Sequence, residues 1–262
     1  MPHRSTRHRL WIAAVTLLAG GSANTALADP ADRWDLSIGA GAVSMPEYPG
    51  SDEQKTRLLP VVTAKYGRFL IGGETQGLGM NLIEEENWRA GLFASFDLSE
   101  IREESDDRER LHGLGDVDGT ARVGAFASYT WGWLTASGRI GTDVGGNELG
   151  TIATLGLSAR WNPTSRLTLT AGPQLTWASE EYMQTVFGIS PAQAQRSGLP
   201  RYQAGGGVSS VGLRLGAHYR IGEHWGVGIT ATTARLQGDA KDSPIVRDKT
   251  QNSIGAFATY HF

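Results

Sequence analysis

Apolar and polar residues alternate along most of the chain, and the pattern is clearest in the last ten residues. Counted back by twos from the C-terminal residue, one face of residues 253–262 is apolar and consists of Ile254, Ala256, Ala258, Tyr260 and Phe262. The opposite face is small or polar, with Phe257 as the exception. Alternation with a period of two and one apolar face is typical of a β-strand. Residues 252–262 are therefore predicted to form a strand.

The same alternation recurs upstream in segments of about ten residues, the length of a tilted strand that crosses a bilayer. Strands that span a membrane must close into a barrel, because an open edge would leave backbone groups unpaired in lipid. The chain is predicted to be an all-β, transmembrane, antiparallel up-and-down β-barrel of about twelve strands, with ten as the alternative because two strands are short. The predicted strands are residues 34–44, 57–66, 69–75, 78–83, 87–98, 119–130, 134–144, 151–161, 166–177, 204–219, 225–236 and 252–262.

Connection lengths predict which end of the barrel faces outward. Short turns of outer-membrane barrels face the periplasm and long loops face the exterior. With the strands above, the long loops at 45–56, 99–118, 178–203 and 237–251 fall on one side. Aromatic residues concentrate at the other end, where a ring prefers the headgroup level of the membrane. This predicted periplasmic girdle consists of Trp34, Tyr66, Trp88, Trp131, Trp133, Trp161, Tyr219, Trp225, Tyr260 and Phe262.

A cleavable signal peptide is predicted at the N-terminus. Arg4, Arg7 and Arg9 precede an apolar run at residues 10–18, and an A-x-A cleavage site ends at Ala28. The run is shorter than the roughly 20 residues that a helix needs to span a bilayer. We therefore expect removal of residues 1–28 and a barrel of residues 29–262 in the outer membrane of a Gram-negative cell.

Composition agrees with an exported barrel and excludes other classes of protein. The 262 residues include 35 Gly and no Cys, which rules out disulfides, thiol catalysis and Cys-based metal sites. Without the three Arg of the signal peptide, 21 Lys and Arg stand against 27 Asp and Glu. No basic patch with interleaved aromatic residues is left, so nucleic acid is not expected as a partner.

Ten charged or titratable residues fall on the predicted inner face of the barrel. One interpretation is a basic-lined pore or pocket that attracts anions. The other is a network of ion pairs that fills a narrow barrel, in which each buried charge needs a partner. The residues are Lys65, Arg89, Arg122, Arg139, Arg160, Arg214, His218, Asp35, Asp97 and Asp143.

No pattern predicts an enzyme, a metal site or a cofactor. Ser, His and Asp are present, but their spacing matches no nucleophile elbow, zinc-protease or calcium-loop motif. His112 lies near Asp116 and Asp118 in a predicted outer loop, which is interpreted as solvated acidic loop, with a metal or acid–base role as the alternative. The charges of residues 100–110 are likewise interpreted as exposed loop surface, with binding of the divalent ions that bridge lipopolysaccharide as the alternative.

The loop at residues 178–203 is long for a compact protein and is predicted to be ordered. Its apolar side chains, Tyr182, Met183, Phe187 and Tyr202, suit a lid folded over the barrel mouth. The alternative is that Pro and Gly in the outer loops only fix tight loop conformations.

Several longer motifs are more specific than alternation. They are PEYPGSD at 46–52, YGRF at 66–69, GLG at 77–79, GLGDVDG at 113–119, AGP at 171–173, YMQTVFGIS at 182–190, SGLP at 197–200 and GDAKDSPIV at 238–246. Together they resemble the MipA/OmpV family of outer-membrane proteins over essentially the whole mature chain. The terminal Phe262 likewise resembles the C-terminal signal that the barrel-assembly machinery recognises.

The resemblance implies a barrel without established enzymatic activity. One family member is described as a scaffold that links a lytic transglycosylase to a murein synthase, and others as surface antigens, adhesins or porin-like proteins. The resemblance therefore favours an envelope scaffold tied to the peptidoglycan machinery. A narrow channel or small-molecule site and a surface adhesin are the alternatives. An outer-membrane hydrolase is a third hypothesis, which rests on His112 and its neighbouring carboxylates and not on the resemblance. Outer-membrane lipid, lipopolysaccharide and the barrel-assembly machinery are the other expected partners.

Overall fold

The computed structural model describes residues 34–96 and 101–262, so the predicted signal peptide at 1–28 lies outside the described residues. Within them, twelve antiparallel strands form a closed barrel in which β1 pairs with β12. The prediction of an all-β up-and-down barrel of about twelve strands is confirmed. The strands are β1 (Asp35–Pro46), β2 (Gln54–Tyr66), β3 (Phe69–Gly72), β4 (Gly77–Glu84), β5 (Trp88–Phe96), β6 (Ala121–Trp131), β7 (Leu134–Asp143), β8 (Thr151–Trp161), β9 (Leu167–Ala178), β10 (Gly207–Ile221), β11 (Trp225–Leu236) and β12 (Thr250–His261).

Closure satisfies the backbone of both terminal strands. β1 pairs with β2 from Asp35 to Pro46 on one side, and with β12 from Ser37 to Ser44 on the other. Over the part of the chain that the structure describes, no helix is both long and apolar enough to cross a membrane. In residues 34–96 and 101–262, four short helical segments lie between strands: α1 (Glu180–Phe187), α2 (Pro191–Ser197) and the 3₁₀ turns Gly73–Thr75 and Gly238–Asp242.

The connections differ in length between the two ends of the barrel. Five short turns lie at one end, and Gly67, Gly132 and Gly222 take left-handed backbone angles in three of them, with φ of 53°, 58° and 66°. In barrels of this class the short turns face the periplasm, so we call this the periplasmic end. The outer end carries the long connections. The first of these is shorter than predicted, because β1 and β2 stay paired as far as Pro46 and Gln54 and leave only residues 47–53.

The outward face of the strands is apolar. Leu58 is 82% exposed and Trp131 is 77% exposed, values that suit contact with lipid rather than with a protein core. The ten aromatic residues of the predicted girdle lie at the periplasmic end, where neighbouring rings are in contact. The rings of Trp34 and Tyr66 stack with their centres 4.9 Å apart, and those of Trp225 and Tyr260 meet edge to face at 5.2 Å.

Candidate functional site

Three phenylalanines fill the middle of the lumen. Phe93 and Phe126 are 4% and 6% exposed and point inward from β5 and β6. Each ring lies over a glycine of a neighbouring strand, so that a Cβ built on Gly124 would come 2.7 Å from Phe93 Cζ. Phe257, the exception in the pattern of β12, also faces the lumen, where its ring covers Gly228. Glycine on the facing strands is therefore what makes room for these rings.

Arg139 lies in the same layer of the lumen. Its guanidinium is stacked on the Phe93 ring, with Cζ 3.7 Å from the ring centre, which is a cation–π contact. The same group donates hydrogen bonds to the Thr75 carbonyl oxygen at 3.1 Å and to Ser95 Oγ at 3.4 Å. The arginine and the rings thus pack as one layer rather than lining an open bore.

Below this layer, toward the periplasm, the lumen widens into a cavity of about 390 Å³, which we call the vestibule. Its rim is the turn between β4 and β5, with Glu84, Glu85 and Glu86. Its inner wall combines cationic or titratable side chains with hydroxyls, and Phe257 is part of its boundary. The wall residues that matter here are Arg89, Arg160, Arg214, His218, Ser128, Thr130, Thr135, Ser137, Ser158, Thr168, Thr170 and Thr230.

The charges of the vestibule are unevenly paired. Glu84 accepts a hydrogen bond from Asn81 Nδ2 at 2.9 Å and forms a close ion pair with Lys65. Arg214 donates through Nε to the neutral amide oxygen of Gln174 at 3.2 Å. Within the described ranges, neither Arg160 nor Arg214 has a carboxylate within salt-bridge distance. Arg160 and Arg214 therefore face the vestibule without a direct ion pair, although the three glutamates of the rim equal the three arginines of the vestibule in number.

The predicted inner-face residues do not form one site. Arg89, Arg160, Arg214 and His218 line the vestibule, and Lys65 contributes to it through its ion pair with Glu84. Asp35 is at the periplasmic end, 3.5 Å from His261 Nδ1.

The other inner-face residues lie higher in the barrel, and Asp97 is outside the described residues. Arg122 is 4% exposed at the outer end, where it donates to the carbonyl oxygens of Leu149 and Gly150 at 3.1 Å. Asp143 accepts backbone hydrogen bonds from Gly145 and Leu149 and so shapes the β7–β8 loop. These two side chains organise the outer mouth rather than the vestibule.

The outer mouth is covered by packed loops, which we call the lid and define as residues 47–53, 101–118, 179–206 and 237–249. Its first helix, α1, begins after Ser179, whose hydroxyl accepts a hydrogen bond from Tyr182 N. The second, α2, begins with a capping box of Ser190 and Gln193 and ends at Gly198 with φ of 75°. Caps of this kind let two very short helices form within a loop.

Two apolar clusters hold the lid together. The first contains Met183 and Phe187, at 1% and 2% exposure, with Tyr182 and Tyr202 packed against it. Its other buried members are Val117, Leu149, Ala178, Val186, Ala204, Leu236 and Ala240. The second contains Tyr48, Leu111, Leu114, Ile189 and Ile245, and Tyr202 packs against this one as well. The lid is therefore a small core built from segments far apart in the sequence.

Buried polar groups tie the lid segments to one another. Arg102 is 1% exposed and donates to the Val186 carbonyl oxygen at 2.8 Å. Asp107 accepts from Arg247 Nε at 2.6 Å, and its Oδ2 lies 3.2 Å from the Tyr48 hydroxyl. Burial and the adjacent Asp107 carboxylate raise the pKa of Tyr48, so that its hydroxyl stays a donor. Arg247 donates hydrogen bonds to Asp107 and Glu109, and these bonds raise the pKa of its guanidinium.

His112 borders a separate surface cavity of about 420 Å³ in the lid, together with Glu104 and Asp116. Both carboxylates accept backbone hydrogen bonds, from Gly115 N and Glu104 N respectively, each at 2.7 Å. In the part of the chain that the structure describes, no group of three or more His, Cys, Asp or Glu residues is placed to hold a metal ion. The carboxylates thus serve the loop conformation.

Sequence reasoning missed the residues that fill the lumen. Phe93 and Phe126 sit at polar positions of the alternation, and only Phe257 was noticed as an exception. The signal that could have identified them is a large aromatic residue on the strand face that otherwise carries small or polar residues. Tyr48 and Arg102 were also missed, because nothing local in the sequence distinguishes a buried loop residue from an exposed one.

One protein family and several known proteins are similar to this chain. The family described as MltA-interacting protein MipA matches residues 38–262. The MltA-interacting protein of Escherichia coli (strain K12) is 26% identical over 257 residues, which cover 97% of this chain and 99% of that protein. The outer membrane protein OmpV of Vibrio cholerae is 35% identical over 91 residues, 34% of each chain. Among solved structures, a NanC porin covers 86% of this chain and 98% of its own, with 10% identity and a TM-score of 0.44.

The family match runs from β1 to the last residue of the chain and includes the lid as well as all twelve strands. The predicted family resemblance and the predicted outer-membrane location are confirmed by these relatives and by the closed barrel. The chain therefore belongs to the MltA-interacting protein MipA family and is an outer-membrane β-barrel.

Proposed function

We propose that this barrel is a non-enzymatic envelope interaction protein that contacts a lytic transglycosylase of the peptidoglycan machinery from its periplasmic end. The observation that carries the proposal is the closure of the outer mouth by the lid, whose buried members include Arg102 and Tyr48 at 1% exposure. A barrel closed in this way does not act as an open porin, so its role depends on what it contacts. The relative from Escherichia coli, whose match covers 97% of this chain, is named for its interaction with MltA. That name supports a partner from the peptidoglycan machinery.

Closure in the middle of the lumen supports the same proposal. The layer of Phe93, Phe126 and Arg139 lies between the lid and the vestibule. Uptake of small solutes is the competing function, and the two vestibule arginines without ion pairs, Arg160 and Arg214, favour it. Uptake requires both the lid and this layer to move aside. Packed interiors resist such movement, because displaced side chains lose their contacts.

The periplasmic surface limits how a partner can bind. The turns there are short, and the exposed groups include Trp131 and Trp133 at 77% and 67% exposure. Such a face offers a shallow contact area, which suits a transient complex rather than an obligate one. Aromatic residues are enriched at protein–protein contacts, so Trp133 in the turn itself is the candidate for the contact, whereas Trp131 ends β6 on the lipid-facing side.

The test is capture of a purified lytic transglycosylase by the refolded barrel in detergent, with an unrelated barrel of similar size as the control. We expect enrichment over that control, and weaker capture by Trp133→Ala. In parallel, planar-bilayer recording of the wild type should show no steady conductance. Capture no better than by the unrelated barrel contradicts the interaction, and an open conductance in the wild type contradicts the closed state.

A further inference from the structure

We propose that the vestibule binds a sugar that carries a single carboxylate. The juxtaposition behind this proposal is a pair of arginines without carboxylate partners, Arg160 and Arg214, facing a wall of serine and threonine hydroxyls in a cavity of about 390 Å³. Ligand pockets for small molecules span roughly 300–1,000 Å³, so a sugar fits the available space. The proposal does not depend on the identity of any protein partner.

Strand register explains why these groups share one wall. Arg160 of β8 lies opposite Thr170 of β9, and His218 of β10 lies opposite Thr168. Paired residues on adjacent strands point to the same side of the sheet, here the lumen. The hydroxyl wall continues across β6, β7 and β8 through the pairs Ser128–Ser137, Thr130–Thr135 and Thr135–Ser158. Five consecutive strands thus present one continuous polar surface.

The two arginines without ion pairs point to an anion. Arg214 is half-buried, and its hydrogen bond to Gln174 leaves its positive charge uncompensated by the protein. Holding a cation away from water without a counter-charge is unfavourable, and a bound carboxylate supplies that charge through charge-assisted hydrogen bonds. The rim restricts the anion, because Glu85 and Glu86 repel groups of high negative charge such as polyphosphates.

The hydroxyl wall points to a polyol. Ser and Thr hydroxyls both donate and accept hydrogen bonds, so they match the hydroxyls of a sugar in several orientations. Gly216 keeps this wall accessible, because a Cβ at that position would come 2.5 Å from Thr170 Oγ1. At the inner boundary of the vestibule, the Phe257 ring is stacked with His218 at 6.2 Å and offers a flat apolar surface. A ring with one carboxylate and several hydroxyls satisfies all of these groups together.

The experiment measures binding to the full mature chain, refolded in detergent, by titration calorimetry. The probes are glucuronate, N-acetylmuramate and neutral glucose. We expect the carboxylated sugars to bind at least about tenfold more tightly than glucose, as expected for one added charge-assisted hydrogen bond. Stronger binding of N-acetylmuramate assigns the ligand to peptidoglycan, and stronger binding of glucuronate assigns it to other polysaccharides.

Variants test whether Arg160 and Arg214 bind the carboxylate. Arg214→Gln and, separately, Arg160→Gln should each weaken binding of the carboxylated sugars by about tenfold. Arg166→Gln is the matched control, because Arg166 is exposed on a turn at the same end of the barrel and lies outside the vestibule. This variant should bind the sugars as tightly as the wild type does. Heat-modifiable migration in gels shows that each variant is folded.

Equal affinity for glucose and the carboxylated sugars overturns the proposal, as does wild-type binding by both vestibule variants. Capture of the transglycosylase is measured separately with the same proteins. Loss of sugar binding without loss of capture, or the reverse, shows which of the two proposals has failed.

Discussion

The guanidinium of Arg139 lies on the ring of Phe93, with 3.7 Å between Cζ and the ring centre, and this pair sits in the middle of a closed barrel. The same ring also covers Gly124 and Gly141 of the two following strands. One side chain therefore connects β5, β6 and β7 across the lumen.

Phe93→Ala should lower the free energy of unfolding by about 3 kcal/mol, the cost of removing a buried aromatic side chain. The measurement is urea unfolding of the refolded barrel in detergent. Phe96→Ala is the control, because Phe96 is on the same strand but is 54% exposed on the outward face. An equal loss in both variants would show that the packing inside the lumen contributes little.

Gly124→Ala should destabilise the barrel by about 1–3 kcal/mol, because the added methyl group overpacks the lumen. The new Cβ would clash with the Ile140 carbonyl oxygen and lie 2.7 Å from Phe93 Cζ. Gly207→Ala is the matched control, since no atom lies within 4 Å of a Cβ at that position of β10. The same unfolding experiment applies, and a Gly124→Ala variant as stable as Gly207→Ala would refute the close packing.

The lid should loosen in acid because of Asp107. Burial by itself raises the pKa of Asp107, but hydrogen bonds from Arg247 and from Arg110 N outweigh it, so the pKa is lowered overall. Because its pKa is lowered in the folded protein, the Asp107 carboxylate stabilises the lid fully at pH values above its unfolded pKa of about 3.9. This stabilisation is lost as the pH falls through the folded pKa. Since the chain has no Cys, Ala240→Cys provides one buried reporter thiol in the lid.

We expect the reporter to react slowly with dithiodipyridine at pH 6 and faster at pH 3. Adding Asp107→Asn should make labelling fast already at pH 6 and remove most of its dependence on pH. Adding Asp118→Asn is the control, because Asp118 is an exposed acid in the same loop. Labelling that stays slow at pH 6 in the Asp107→Asn protein would exclude this ion pair as a support of the lid.

Arg102 should stabilise the lid more by filling space than by its charge. Its Nε has no hydrogen-bond partner among the described residues, and burial lowers the pKa of its guanidinium. A buried charge that is incompletely paired is often replaced by an apolar side chain of similar volume at little cost. Arg102→Met should therefore raise the labelling rate of the Ala240→Cys reporter less than Arg102→Ala does. Equal rates in the two variants would show that the hydrogen bond to Val186 matters most.

Prediction from the sequence succeeded where a rule acts on neighbouring residues. Period-two alternation found all twelve strands, including the four-residue β3, because each strand must present one face to lipid and the other to the lumen. The strand ends were less accurate. β1 and β2 extend to Pro46 and Gln54 because backbone pairing continues beyond the alternating residues.

The candidate site was predicted only in part. The inward direction of Arg160 and Arg214 follows from the alternation of inward and outward positions along a strand. Their shared cavity, however, depends on which strands are neighbours in the barrel. The alternation also could not show that Phe257 fills space inside the lumen and does not interrupt the strand. That outcome needs Gly228 on the adjacent strand, and the pairing is a property of the closed sheet.

By itself the amino-acid sequence determined the class of fold and the direction in which strand side chains point, because bilayer and backbone impose those choices residue by residue. It left twelve or ten strands open, and the pairing of the short β3 decided for twelve. Tertiary structure decided that the barrel is closed by a lid, and which charges remain unpaired in the vestibule. Both depend on contacts between segments far apart in the chain, such as Tyr48 with Ile245 and Arg102 with Val186. Contacts of this kind are set by packing in three dimensions, which no local pattern contains.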